Sequence, residues 1–167
     1  FQDAINAGNL TLTAGKNYLV KNINIPSTRV ISGYGSTITW GGSHGTPPVV
    51  ENVSTTLFVQ GTSEARKENV KLLGFTLVGS RTGTDYASSG TNEQDAVSFQ
   101  YADGCAVQHI KFKDNKQDNV SLENCFGISI TQCECQNTGD AFVDIRISSD
   151  IDVIGNHVKN VRSLVFA

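Results

Sequence analysis

Val107-Gln-His-Ile-Lys-Phe112, Ile130-Thr-Gln-Cys-Glu-Cys135 and Val153-Ile-Gly-Asn-His-Val158 follow one another at intervals of 23 residues. Laid over each other, they stack Val107 on Ile130 on Val153, Ile110 on Cys133 on Asn156, and Phe112 on Cys135 on Val158. Two residues further on, a polar set stacks in the same way: Asp114, Asn137 and Asn160. A second series runs beside the first. Asp95-Ala-Val-Ser-Phe99, Asp118-Asn-Val-Ser-Leu122 and Asp140-Ala-Phe-Val-Asp144 are spaced by 23 and then 22 residues.

A period in the twenties marks a solenoid. Apolar residues recurring at fixed rung positions, with polar residues between, mean that each repeat is one coil of a β-helix. A lone coil cannot bury its inner face, so coils stack and share a continuous core. The Asp114, Asn137 and Asn160 set is expected to line a turn, with side-chain amides bonding from coil to coil. A leucine-rich repeat has a similar period but needs LxxLxL spacing and a helical return, and this chain has neither.

Working outward, the winding becomes less regular. Asn69-Val-Lys-Leu-Leu-Gly-Phe-Thr-Leu77 opens one earlier rung, and Val30 to Trp40 makes another. Two polar inserts interrupt it, Gly41 to Thr56 and Gly79 to Gln94. Long loops on a rigid scaffold often carry function, but they can equally be variable insertions. At the amino end, Phe1, Ala4 and Ile5 share one face of a short helix, which is expected to cover the open end of the stack. At the other end, Asn160 to Phe166 reads as the start of a further coil, with Val165 where Phe142 and Val120 stand before it. The expectation is a single β-helix domain over 1–167, a fragment of a longer chain cut at both ends.

Composition narrows the partners. The 167 residues carry a net charge of −3, which gives no electrostatic ground for binding nucleic acid or an anionic membrane. No apolar run approaches the roughly 20 residues needed to cross a bilayer, so no membrane insertion is expected. Cys105, Cys125, Cys133 and Cys135 show no CxxC spacing, and the three histidines are scattered. The cysteines read as buried free thiols, and neither metal nor cofactor is expected. Sequons at Asn9, Asn52 and Asn119 decide nothing in a chain this rich in Asn and Thr.

The segment Leu10 to Ile38 resembles the opening coils of pectate-lyase-like right-handed parallel β-helix proteins. Ala14-Gly15-Lys16 holds the place of their "aGkY" turn, with Asn17 inserted before Tyr18, and Ile31-Ser-Gly33-Tyr-Gly35 that of their "i.G.G.tI" coil. The same arrangement is similar to bacteriophage tailspikes and capsule depolymerases. The resemblance implies an all-β right-handed solenoid and a homotrimer that binds or cleaves bacterial surface polysaccharide. It also implies a place on the virion, or, for a bacterial relative acting on pectin or alginate, secretion. Polygalacturonase-type relatives carry Asn-Thr-Asp, paired Asp and Gly-His-Gly. Here Asn137-Thr138-Gly139-Asp140 and Arg146-Ile147-Ser148 are loose echoes and Gly-His-Gly is absent, so that mechanism is not carried over.

The chemical feature of the repeats is a column of acids. If Asp95, Asp118 and Asp140 are equivalent, neighbours lie about 5 Å apart at the backbone and alternate members about 10 Å. Glycoside hydrolysis needs two carboxyls at about 5–5.5 Å for retention or 6.5–9.5 Å for inversion. Stacked carboxylates raise one another's pKa, which suits a general acid. Asp118 is the candidate acid, with Asp140 or Asp95 as base. Glu123 and Asp144, toward the other end of those strands, could contribute instead. The alternative is structural: an Asp before a strand accepts a backbone N–H in its turn, and a repeated turn repeats the Asp. Lyase chemistry would need a base such as Lys111, Lys113 or Lys116, which read as solvated surface, as does His109. Tyr86, Tyr101 and Trp40 are candidates for stacking on sugar rings, with core packing the competing role for Trp40.

Overall fold

The structure, a computed structural model, describes residues 1–41, 55–81 and 95–166. It is a right-handed parallel β-helix of three sheets, each built of strands one coil apart. The first sheet contains Leu10–Thr11, Val30–Ser32, Lys71–Leu73, Ala106–Gln108, Phe126–Thr131 and Ser149–Ile154. The second runs through Asn17–Val20, Thr37–Trp40, Thr76–Val78, Lys111–Lys113, Glu134–Gln136 and His157–Lys159. The third, which carries the site, runs through Ile23–Asn24, Thr55–Gln60, Asp95–Gln100, Val120–Glu123, Ala141–Arg146 and Ser163–Phe166.

The register confirms the stacks read from the 23-residue period. Val107 pairs with Ile130 and Ile130 with Val153, while Phe112 pairs with Cys135 and Cys135 with Val158. Inside the coils these side chains merge into one core with Leu57, Leu72, Phe75, Phe99, Leu122 and Val143. Phe112 and Phe142 meet edge to face, centroids 6.2 Å apart. The polar ladder is present as well. Asn137 Nδ2 donates to Asp114 Oδ1 at 3.1 Å, and Asn160 Nδ2 donates to Asn137 Oδ1 at 3.1 Å.

These three residues have φ of 53°, 59° and 53°, the left-handed region that Asn and Asp tolerate best. Other corners of the later coils make the same demand. At the corner after the third sheet, the residues are Tyr101, Asn124 and Ile147, with φ of 49°, 54° and 48°. Ile147 is a β-branched residue in a conformation such residues avoid, and it is 83% exposed, so no packing offsets the strain. Ile147→Asn is therefore expected to raise stability by about 1 kcal/mol, seen as a higher urea midpoint with unchanged slope. A lower midpoint would mean that the Ile147 side chain contributes a contact.

The amino-terminal helix forms over Gln2–Ala7, and its Ile5 is fully buried against the first coil. It is tied down by polar bonds. Gln2 donates to Asn24 O and accepts from Asn24 N, while Arg29 donates to the carbonyls of Ile5 and Asn6. The glycines of the opening coils have identifiable jobs. Gly15 and Gly35 have φ of +74° and +77°, and Gly15 N–H donates to Gly35 O at 2.8 Å, which joins two stacked turns. A Cβ at Gly33 would sit 2.6 Å from the Leu12 Cβ. All four cysteines are buried and free, and burial pushes the Cys105 and Cys133 thiols up to about 11. No helix among the described residues is long and apolar enough to cross a membrane.

Candidate active site

The acid column is real over one step and broken over the next. Val97 pairs with Val120, which places Asp95 under Asp118. Val120 pairs with Val143, however, so the residue above Asp118 is Ala141, not Asp140. The coil holds its 23-residue register and Asp140 sits one residue early, at the turn. The reason is packing. Ala96, Asn119 and Phe142 form one buried row, and Val97, Val120 and Val143 the next. Shifting the strand to align the aspartates would turn Phe142 and Val143 out of those rows. One coil further on the step is 22, and Val165 stacks on Val143, not on Phe142.

Asp95 and Asp118 do what the structural alternative foresees. Asp95 Oδ1 accepts the Asp118 N–H at 3.1 Å, and Asp118 Oδ1 accepts the Ala141 N–H at 2.8 Å. That use leaves Asp118 Oδ2 for other work. The two side chains then differ in setting. Asp118 lines a cleft of ≈ 410 Å³ on the outer side of the third sheet, together with Asp140, Ala141, Asp144, Arg146, Arg162 and Ser163. Asp95 is not among the residues lining it.

Asp144 belongs to this cleft, although its place in the strand suggested the far end. The corner before it buries Ala141, Phe142 and Val143 in succession, so strict alternation starts late. Asp144 then faces outward in a column with Ser98 and Ser121. It is only 3% exposed. Arg146 Nη2 lies 2.6 Å from its Oδ2, and no other group donates to either carboxylate oxygen among the described residues. Asp140 is half-buried, with Arg162 Nη1 at 3.9 Å from its Oδ1.

The electrostatics separate these groups. Burial is the main influence that lifts the Asp118 carboxyl to about 7; Asp144 and Asp140 add to it, and the Ala141 N–H and Arg146 oppose it. Burial also raises Asp144, and Arg146 offsets part of the rise. Asp95 is raised by burial and by the neighbouring Asp118 charge. The cleft thus holds a carboxyl poised near neutrality beside one with a cation at 2.6 Å. That is an arrangement able to donate a proton at one point and accept one at another.

The remaining candidates fall elsewhere. Glu123 sits one coil before Arg146 in a polar ladder, where Gln60 Nε2 donates to Gln100 Oε1 and Gln100 Nε2 to Glu123 Oε2, both at 3.0 Å. Tyr101 lies beside the Arg66 guanidinium, 5.9 Å from its ring centroid, and Arg66 forks onto Asp103. Tyr86 lies outside the described residues, as does most of each long insert. Trp40 is buried at 7% exposure. Lys111 and Lys113 are exposed on the second sheet, where Lys111 pairs with Glu134 at 3.2 Å, and Lys116 does not line the cleft. His109 is exposed, its ring 6.1 Å from that of Tyr34. The residues missed were Arg146 and Arg162. Asp144-x-Arg146 was the readable signal for the first, since residues two apart on a strand share a face.

The fold and the cleft together define a parallel β-helix with a carboxylate-rich groove on one sheet. No family model matches the sequence, and no curated protein matches it. Among solved structures, the chain superimposes on a "putative glycosyl hydrolase" from Parabacteroides merdae with a TM-score of 0.66, covering 98% of this chain and 86% of that one at 11% identity. It also superimposes on the surface protein and adhesin PfbA of Streptococcus pneumoniae with a TM-score of 0.55, covering 88% of this chain and 56% of that one at 13% identity. At these identities the likeness is one of fold.

Proposed function

We propose that this β-helix binds a polysaccharide along its third sheet and hydrolyses it in the Asp118–Asp144 cleft. One observation carries the reading: two buried carboxyls, Asp118 and Asp144, open onto the same cleft while, among the described residues, only Asp144 faces a cation at ion-pair distance. Protonated Asp118 gives its proton to the glycosidic oxygen as the bond to the anomeric carbon breaks, and the bonding electrons leave with that oxygen. Asp144, as carboxylate, takes a proton from the water that attacks the anomeric carbon. One water is consumed and two chain ends form. Asp144 lies one coil above Asp118 and three residues along, and both side chains line the same cleft. The fold shared with the "putative glycosyl hydrolase" supports a glycan as the partner. Bacterial surface polysaccharide as that glycan, a homotrimer as the assembly and a phage tail or secreted location follow from the tailspike resemblance and are part of the proposal.

A second reading has its own observation. Asp118 bonds Ala141 just as Asp95 bonds Asp118, so the pair also serves as a turn ladder, and the groove could bind glycan without cutting it. Incubation with a panel of capsules, O-antigens and uronans separates the two. New reducing ends without the ultraviolet absorbance of unsaturated uronates support the hydrolase. Ends with that absorbance would replace it with a lyase. Binding of a glycan that is never cut would leave the adhesin.

A further inference from the structure

We infer that Arg146 is a positioning residue that divides the two roles in the cleft: its guanidinium keeps Asp144 as the carboxylate and leaves Asp118 as the acid. The inference rests on the hydrolytic reading of the cleft. Arg146 and Asp144 are two residues apart on the strand Ala141–Arg146, so both project to its outer face. The Nη2 to Oδ2 distance is 2.6 Å, and no group other than Arg146 donates to Asp144 among the described residues. A carboxylate so buried needs a compensating charge, and Arg146 is the cation placed to give it. Asp118 is compensated differently, by the neutral Ala141 N–H on one oxygen.

The other charged groups around the pair do not take over this task. Asp140 enters from the turn before the same strand and has Arg162 as its cation at 3.9 Å. Glu123 lies beneath Arg146 in the preceding coil and adds negative charge near Asp144, as does Asp140. Asp95 lies below Asp118, which raises it together with burial, and Arg146 is a lesser influence there that opposes the rise. Arg146 is the strongest influence opposing burial at Asp144, whereas at Asp118 the Ala141 N–H opposes it more strongly than Arg146 does. Removing the guanidinium therefore acts on Asp144 first. The ladder from Gln60 through Gln100 to Glu123 ends in register with Arg146.

The test compares Arg146→Gln and Arg146→Lys with the wild type. Carboxyl NMR follows the titration of Asp144 and Asp118 in the folded protein without glycan. The pH–rate profile is measured on whichever panel polysaccharide the wild type cleaves. In Arg146→Gln the Asp144 midpoint is expected to rise more than that of Asp118. The rate at pH 5, relative to the variant's own plateau, is expected to fall at least about tenfold, since each unit on the acidic limb is a factor of ten. Lys at 146 is expected to restore most of both. An Asp144 midpoint unmoved in Arg146→Gln, or moved no more than that of Asp118, overturns the inference. If Asp144 moves as stated but no panel glycan is cut by the wild type, the hydrolytic reading fails and Arg146's hold on Asp144 stands.

Discussion

Asp118→Asn is expected to lower polysaccharide cleavage by about 10³-fold and, in the same protein, to weaken the pH dependence of folding stability. The two effects have one origin. Asn retains the shape of the side chain, and its amide oxygen can still accept the Ala141 N–H that Asp118 Oδ1 accepts at 2.8 Å. The turn survives, so the loss of rate reads the proton and not the fold. A general acid contributes roughly 10²–10⁴ in rate, and an amide has no proton to give at these pH values. Cleavage within tenfold of wild type would return Asp118 to its turn and leave the groove a binding surface.

The stability half of this prediction follows from linkage. The Asp118 carboxyl is raised from 3.8 to about 7 in the folded state, mainly by burial. Between those values the folded protein holds a proton that the unfolded chain has released. Stability is therefore greatest below the unfolded value, falls as pH climbs toward 7 and levels off above it. The fall attached to this one group is on the order of 4 kcal/mol, three units at 1.36 kcal/mol each. Asp95 and Asp144 are raised in the same direction, so some slope persists in Asp118→Asn. Urea unfolding at pH 4.5, 6 and 8 reads it. A wild type that grows more stable from pH 4.5 to 8 would contradict the buried, proton-holding carboxyl.

How far the sequence shows all this depends on which side of the sheet a residue serves. Core residues obey a packing rule that repeats with the coil, so Val107, Ile130 and Val153 announce the period unaided. Turn residues obey a φ rule, and Asp114, Asn137 and Asn160 announce it through side chains that suit the left-handed region. Ile147 obeys the same backbone rule with an unsuited side chain, so its corner could not be read from residue type. The acids follow neither rule. Asp140 resembles Asp118 in its neighbours but lies 22 residues on, and the buried rows Ala96/Asn119/Phe142 and Val97/Val120/Val143 fix the step at 23. Weighing those rows above the likeness of the aspartates would have put Ala141 over Asp118. Asp144 and Arg146 were legible as a same-face pair, but not that the cleft ran that far along the strand. That depends on how many residues the corner buries before alternation resumes.

Asn119→Ala is expected to cost about 4 kcal/mol, a large part of the 5–15 kcal/mol that holds a typical domain folded. Asn119 lies fully buried at the corner between the second and third sheets, in the row where the neighbouring coils place Ala96 and Phe142. A polar cluster occupies the corner. Asn115 Nδ2 donates to Asn119 Oδ1 at 2.6 Å, and Asn119 Nδ2 donates to Thr138 Oγ1 at 2.7 Å and contacts Cys135 Sγ at 2.9 Å. Asn115 and Thr138 are fully buried as well. Truncation to Ala takes one hydrogen bond from each, Thr138 keeping its 3.2 Å contact with Cys135 Sγ, and losing a hydrogen bond at a buried polar group costs about 1–3 kcal/mol apiece. The missing amide also opens a cavity in a site that the stacked coils above and below prevent from collapsing. Thr138→Val removes less, because Asn115 and Asn119 still bond each other, and about 1.5 kcal/mol is expected there. Urea midpoints at constant slope measure both. A loss below 1 kcal/mol for Asn119→Ala would show that water enters the corner and satisfies Asn115 and Thr138 in its place.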